Sequence, residues 1–170
     1  MSCRILIVDD EESIRFTFSE FLSDAGYIVD TAENFARATA CFEANDYDAI
    51  FLDILLGRES GIDVLKAARE LNPNCPVTMV TGAPEIKTAA AAVRHGAFDY
   101  LTKPVNQEDL LRQAARAVAF KTAIDQKERY QKRMTAVFQG VKEGILVFDV
   151  ALKLIDINFS AQGILSCGEE

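Results

Sequence analysis

ILIVDDEES, residues 5–13, is an apolar run that stops on two adjacent carboxylates, Asp9 and Asp10. Three more short runs end on groups that phosphoryl chemistry can use. AIFL (49–52) leads into Asp53, VTMV (77–80) into Thr81, and FDYLT (98–102) into Lys103-Pro104. Runs of this length, alternating with helical periodicity, predict an open parallel sheet. In such sheets ligands sit beyond the carboxyl ends of the strands. Three acids, a hydroxyl and an amine are therefore expected to meet in one crevice.

The intervening segments read as helices. Glu12–Ala25 carries apolar residues at 14, 16, 18, 21 and 22 and stops at Gly26. Asn34–Ala44 places Phe35, Ala38 and Phe42 on one face, and Ile62–Leu71 turns Val64, Leu65 and Ala68 inward before Asn72-Pro73. Pro84 opens an alanine-rich helix to Arg94, and Gln107 starts another with Leu110, Leu111, Ala114, Ala115 and Val118 on its buried side. The strands are expected at Cys3–Val8, Tyr27–Thr31, Tyr47–Leu52, Pro76–Val80 and Ala97–Leu101, with Gly57–Ser60 as a loop. The fold class is α/β, a doubly wound five-stranded parallel sheet. The order 2-1-3-4-5 puts the first strand beside the third at the reversal point.

No Gly or Pro interrupts the chain between Val105 and Gln139. One helix through it would run roughly 50 Å. Phe120, Ile124, Gln131, Met134, Phe138 and Val141 approximate a 3–4 spacing, which suits a signalling helix or weak coiled-coil seam and equally a solvated linker. After Gly144 the pattern changes. ILVFD (145–149) and LKLIDIN (152–158) read as a strand pair about Val150-Ala151, and SAQGIL (160–165) as the start of a helix. About 30 residues cannot bury a stable core alone, so they read as the front edge of a second domain.

Composition narrows the classes. Of the net charge of −8, residues 1–120 carry −8, residues 121–140 carry +3 and residues 141–170 carry −3. The acidic body argues against direct nucleic-acid binding. KERYQKR (127–133) reads as a docking patch or a solvated helix face. The sequence has no apolar stretch near the roughly 20 residues that span a bilayer, and its start lacks a signal-peptide pattern. A cytoplasmic location follows. Cys3, Cys41, Cys75 and Cys167 form no CxxC pair, and with His95 alone there is no zinc-site spacing. Buried, reduced thiols are expected.

Asp53 at a strand end is already ionised at neutral pH, so it needs no general base to attack phosphorus. Its obstacle is repulsion. Two carboxylates about 4 Å apart repel by about 4 kcal/mol at an effective dielectric near 20, and a third favours proton uptake. A hard divalent cation such as Mg²⁺ removes the problem. Lys103 supplies a point charge and Thr81 a donor for the oxygens of a transferring phosphoryl group. No dedicated strong base accompanies them, which suits a slowly reset switch better than a metabolic enzyme. Taken singly, each residue has a plainer role. Asp9 and Asp10 can cap a helix, Asp53 and Thr81 can support turns, and Lys103 can be solvated.

These residues resemble the receiver domain of bacterial two-component response regulators over about residues 3–121, through ILIVDDEE, FLDILL, MVTGA and GAFDYLTKP in order. The resemblance implies that Asp53 is the phosphoacceptor. It implies Mg²⁺ held by Asp10, Asp53 and the Leu55 carbonyl, with Asp9 on a metal-bound water. Thr81 and Lys103 would contact the phosphoryl group, Lys103-Pro104 would be cis, and Tyr100 would be the switch aromatic that follows Thr81. The face of the fourth helix, fifth strand and fifth helix would then change shape. Gly61 stands where the family often has glycine. Gly57 departs from the proline usual four residues after the phosphoacceptor, which implies a looser loop. From about Phe138 the chain resembles the beginning of a PAS sensor domain, through GILVFD and LIDIN with Asn158.

The expected organisation is a receiver at 1–121, a signalling or linker helix at 122–137 and a PAS-like fragment at 138–170. The partners implied are a sensor histidine kinase or phosphotransfer protein, and a second copy through the switch face or the linker helix. The output module implied, a kinase, an ATPase-type activator or a cyclic-nucleotide enzyme, is not among these residues. Such a chain catalyses its own phosphoryl transfer and slow dephosphorylation without being a conventional turnover enzyme. One rival is a phosphorylation-independent dimerisation module, which predicts the same sedimentation with or without Mg²⁺ and beryllofluoride. The other is a metal-dependent phosphatase. It wants a second Asp two residues after the nucleophile, where this chain has Leu55.

Overall fold

The structure is a computed structural model that describes residues 3–82 and 86–166. Five parallel strands form the main sheet: β1 (Arg4–Val8), β2 (Ile28–Ala32), β3 (Ala49–Asp53), β4 (Val77–Thr81) and β5 (Asp99–Thr102). Their order is β2-β1-β3-β4-β5, as expected. The helices are α1 (Glu12–Asp24), α2 (Phe35–Ala44), α3 (Gly61–Leu71), α4 (Ile86–Arg94) and α5 (Gln107–Gly140). The expected start of α4 at Pro84 lies outside the described residues, as does Cys167.

The alternation of a pleated strand divides the core into two layers. Leu6, Val8, Ile50, Leu52 and Met79 face Ala38, Phe42, Val64 and Leu65 of α2 and α3. Ile5, Ile7, Phe51 and Val80 face Phe18 and Leu22 of α1 and Leu110, Ala114 and Ala117 of α5. Phe18 meets Phe51 edge-on, with ring centroids 6.4 Å apart. Because β1 and β3 are covered on both faces, their carboxyl ends are held rigidly. The residues that follow, from Asp9 and from Asp53, inherit that precision.

Several boundaries moved by one or two residues for identifiable reasons. Gly26 takes φ +89°, and the Tyr27 amide still closes α1 by donating to the Leu22 carbonyl (3.1 Å), so β2 begins at Ile28. Tyr47 lies outside β3, with its ring buried and its hydroxyl donating to Asp30 (2.9 Å). Burial and that carboxylate push the Tyr47 phenol up. Asn34 and Ser60 sit at the N-caps of α2 and α3, accepting from the Arg37 and Ile62 amides (2.8 and 3.2 Å). On α5 the buried side holds Leu110 and Ala114 as expected, but Ala115 is exposed, and Gln113 and Ala117 are buried instead. Gln113 is tolerated there because its oxygen accepts from Arg116 (2.7 Å).

The expected loop at 57–60 is part of a two-rung antiparallel hairpin pairing Leu55–Leu56 with Glu59–Ser60. Gly57 turns it at φ +60°, which proline cannot adopt. Ser60 caps α3, and Glu59 accepts from the Phe35 amide at the start of α2 (2.8 Å). The departure from the family's proline thus comes with a hairpin tied at its far end, not an untethered loop. Of the thiols, Cys41 and Cys75 are buried, while Cys3 is only half-buried because it precedes β1 at the sheet rim.

The chain divides into compact units at Met1–Ile124 and Asp125–Glu170, with α5 running through the division unbroken. Phe120, the first member of the α5 stripe, packs on Phe98 with ring centroids 4.9 Å apart while remaining exposed on its other side. In the second unit β6 (Leu146–Phe148) and β7 (Leu154–Ile157) pair antiparallel, followed by α6 (Phe159–Ser166). Asn158, fully buried, ties this unit together. Its oxygen accepts from the Ile145 and Ala161 amides (2.8 and 3.0 Å). Its amide nitrogen donates to the carbonyls of Phe138, Val141 and Glu143 (3.2, 3.3 and 2.9 Å). One side chain thereby joins the end of α5 to the hairpin and α6. No described helix is long and apolar enough to cross a membrane.

Candidate functional site

The carboxyl ends of β1, β3, β4 and β5 open onto a cleft of about 360 Å³, lined by Asp10, Glu11, Asp53, Leu55, Gly57, Gly82 and Lys103. Asp53 is the last residue of β3 and is buried. Asp9, also buried, follows β1 directly, while Asp10 is exposed. Each of the three offers a carboxylate oxygen within 4.8 Å of the others. The parallel pairing of β1 with β3, Val8 against Leu52, brings the acids of two distant segments level.

Lys103 enters from the end of β5. Its Nζ lies 2.7 Å from Asp53 and 2.8 Å from Asp9, with Glu11 at 3.3 Å. The Lys103 amide donates to the Thr81 carbonyl (2.7 Å), which fixes where the lysine leaves the backbone, and the Lys103–Pro104 peptide is cis. Thr81 itself is buried at the end of β4, one residue before Gly82 of the cleft wall. The Leu55 amide donates to Asp53 (3.2 Å), which keeps the start of the hairpin against the carboxylate. Gly61 closes the floor, since its amide donates to the Ile54 carbonyl (2.8 Å) and a β-carbon there would fall 2.0 Å from the Asp53 carbonyl oxygen.

Burial penalises the charged form of Asp9 and raises its pKa, against the Lys103 contact and the Glu11 amide that favour the carboxylate. Lys103 is also desolvated, but its bonds to Asp53 and Asp9 outweigh that and push its ammonium well above the ordinary lysine value. A raised lysine contributes stability that is present below its unfolded pKa and lost only as pH climbs through the folded one. The cation is therefore intact throughout the neutral range. Lys103→Met leaves Asp9 and Asp53 facing each other without it. We expect a loss of about 3–5 kcal/mol at neutral pH. Asp9 then binds a proton more readily folded than unfolded, so the deficit shrinks as pH falls toward the unfolded carboxylate range. Urea unfolding of both proteins between acid and neutral pH checks this; a deficit independent of pH refutes it.

Tyr100 lies outside the cleft. It borders a small cavity with Ala89, Ala92, Val93 and Phe98, between α4 and β5, and its buried hydroxyl has no hydrogen-bond partner among the described residues. Beside it Asp99 is held low: burial would raise it, but the Gln113 side chain, the Tyr100 amide and Arg116 together overcome that. The sequence reading missed Glu11 as the third acid on Lys103 and Glu59 as the anchor of the hairpin. Glu11 directly follows the paired aspartates, so its neighbours offered a signal. Glu59 offered none, because its partner lies 24 residues away in the chain.

Comparisons with known proteins bear on this arrangement. The profile of the family described as response regulator receiver domain matches residues 5–115. The alginate biosynthesis transcriptional regulatory protein AlgB of Pseudomonas putida is 43% identical over 107 residues, covering 63% of this chain and 24% of that protein. The chain spans about a quarter of the length of the first curated relatives it matches. Among solved structures, a CheY-like receiver domain protein from Methanospirillum hungatei superposes with TM-score 0.70 at 30% identity, over 72% of this chain and 98% of that one. NtrX from Brucella abortus gives TM-score 0.74 at 31% identity, over 89% of this chain and 32% of its own.

Proposed function

The chain belongs to the response regulator receiver domain family of two-component signalling, and from that premise we propose that Asp53 is its phosphoacceptor, loaded from a phosphohistidine on a sensor kinase or phosphotransfer protein. The observation that carries this is the position of Lys103 Nζ, within 2.8 Å of both Asp9 and Asp53, beside an acid cleft open to solvent. An Asp53 oxygen attacks phosphorus. The bond from phosphorus to the imidazole nitrogen breaks, and its electron pair stays on that nitrogen, which takes a proton from solvent. Lys103 stays within reach of a phosphoryl oxygen throughout, and Thr81 donates to another.

The donors fit Mg²⁺. Asp9, Asp10 and Asp53 supply hard oxygens within 4.8 Å of one another, and the Lys103 ammonium offsets part of their charge. Asp10, Asp53 and the Leu55 carbonyl would hold the ion directly and Asp9 through a water. When bound it neutralises the charge that develops on the transferring group. Tyr100 then follows Thr81 as that hydroxyl engages the phosphate, and the α4-β5-α5 face changes shape. The cavity beside Tyr100, and its hydroxyl without a partner among the described residues, support a ring with somewhere to go.

We further read residues 1–121 as the receiver, 122–137 as a linker helix and 138–170 as the front of a PAS-like domain. The unbroken α5, the β6–β7 hairpin and the Asn158 knot support that division. Dimerisation through the switch face or the linker, a cytoplasmic location and no direct nucleic-acid contact by this acidic segment complete the proposal. Acetyl phosphate with Mg²⁺ should place one phosphate on the chain, labile in both acid and base, and EDTA should prevent it. Labelling that persists in EDTA refutes the metal's part.

A further inference from the structure

Arg15 occupies the first turn of α1, where a cation opposes the positive end of the helix dipole. Glu11, at the N-cap position, makes no side-chain bond to the first-turn amides. The arginine instead folds back over the helix start. Its Nη1 donates to the carbonyls of both Asp9 (2.7 Å) and Asp10 (2.9 Å). The same short segment is held at the Asp9 amide, which donates to the Ala32 carbonyl (3.1 Å), and at the Glu11 amide, which donates to the Asp9 carboxylate (3.0 Å). Asp10 itself is exposed at the rim of the cleft. Arg15 thus grips the main chain of the two adjacent acids from the side of α1, while Lys103 holds the Asp9 carboxylate.

We propose that Arg15 is a positioning residue for cation binding: it fixes the Asp9–Asp10 backbone so that both carboxylates meet Asp53 before a divalent cation arrives. This rests on the reading of the acid cleft as the Mg²⁺ site. Two effects of the side chain have opposite signs, which makes the inference testable. As a bare positive charge near the acids, Arg15 repels an incoming cation, and removing it tightens binding. As a clamp on the ligands' backbone, it lowers the ordering that binding must supply, and removing it weakens binding. The clamp should prevail. Both of its bonds are short, and each lands on a residue that carries one of the carboxylates.

The experiment uses the full chain with Mg²⁺ as the probe, at fixed ionic strength. Isothermal titration of Arg15→Met should give an affinity about tenfold weaker than that of the unaltered chain, in line with the loss of an outer-shell partner. Arg15→Lys, which keeps the charge and a donor, should fall between the two. The acetyl phosphate labelling rate should recover at saturating Mg²⁺. Equal or tighter Mg²⁺ binding by Arg15→Met overturns the inference. If the unaltered chain takes up no Mg²⁺, the reading of the cleft fails, and Arg15 is then judged by the metal-free protein alone. There the Glu11 amide should exchange hydrogen faster in Arg15→Met, and unchanged exchange overturns the clamp whatever the metal does.

Discussion

Asp53→Asn will reduce phosphate incorporation from acetyl phosphate or a kinase to background while the protein stays folded. The carboxamide has the size of the carboxylate and keeps an oxygen for the Leu55 amide, which lies 3.2 Å from the native acceptor. Lys103 retains Asp9 at 2.8 Å and Glu11 at 3.3 Å, so no buried ammonium is stranded. What disappears is the anionic oxygen proposed here to attack phosphorus, and no neighbour is placed to replace it. Asp9 is already engaged by Lys103 and the Glu11 amide, and Asp10 stands at the rim of the cleft. The substitution also relieves like-charge repulsion, so thermal stability in the absence of metal should hold or rise. Radiolabel on the Asp53→Asn protein at the level of the unaltered chain would remove Asp53 from the mechanism.

Gly61→Ala will damage both the fold and the site. A β-carbon at this position sits 2.0 Å from the Asp53 carbonyl oxygen and 3.0 Å from the Ile54 Cα. Both obstacles are main chain and cannot rotate away. Either α3 withdraws from the end of β3 or the Asp53 peptide moves. The first breaks the 2.8 Å bond from the Gly61 amide to the Ile54 carbonyl, and the second displaces Asp53, the proposed phosphoacceptor. We expect a cost of about 2–4 kcal/mol, which lowers the melting temperature by roughly 10 °C. Labelling of the surviving folded protein should be slowed as well. Calorimetry that shows an unchanged melting temperature would mean that the approach of α3 to β3 is looser than described.

The sheet and its order were legible because four apolar runs end on chemistry-bearing residues and the helical segments between them have clear periodicity. The convergence of Asp9, Asp10, Asp53 and Lys103 followed from strand order alone, since parallel strands deliver their ends to one edge. What the sequence concealed depends on contacts across long separations. Glu59 reaches the start of α2, Gln113 is buried through Arg116, and Phe120 packs on Phe98. The hairpin that includes the expected loop at 57–60 leaves no trace in the sequence, because a two-residue strand has no periodicity to detect. Arg15 did carry a signal, a cation in the first turn of a helix, but its partners are backbone carbonyls and so leave no complementary residue in the sequence.

Reduction of the acyl phosphate with labelled borohydride, followed by peptide mapping, asks which atom receives the phosphoryl group. The tag should fall on residue 53 alone, and only in protein incubated with both acetyl phosphate and Mg²⁺. A tag on Asp9, Asp10 or Glu11, or one that forms equally well without the metal, would contradict the account.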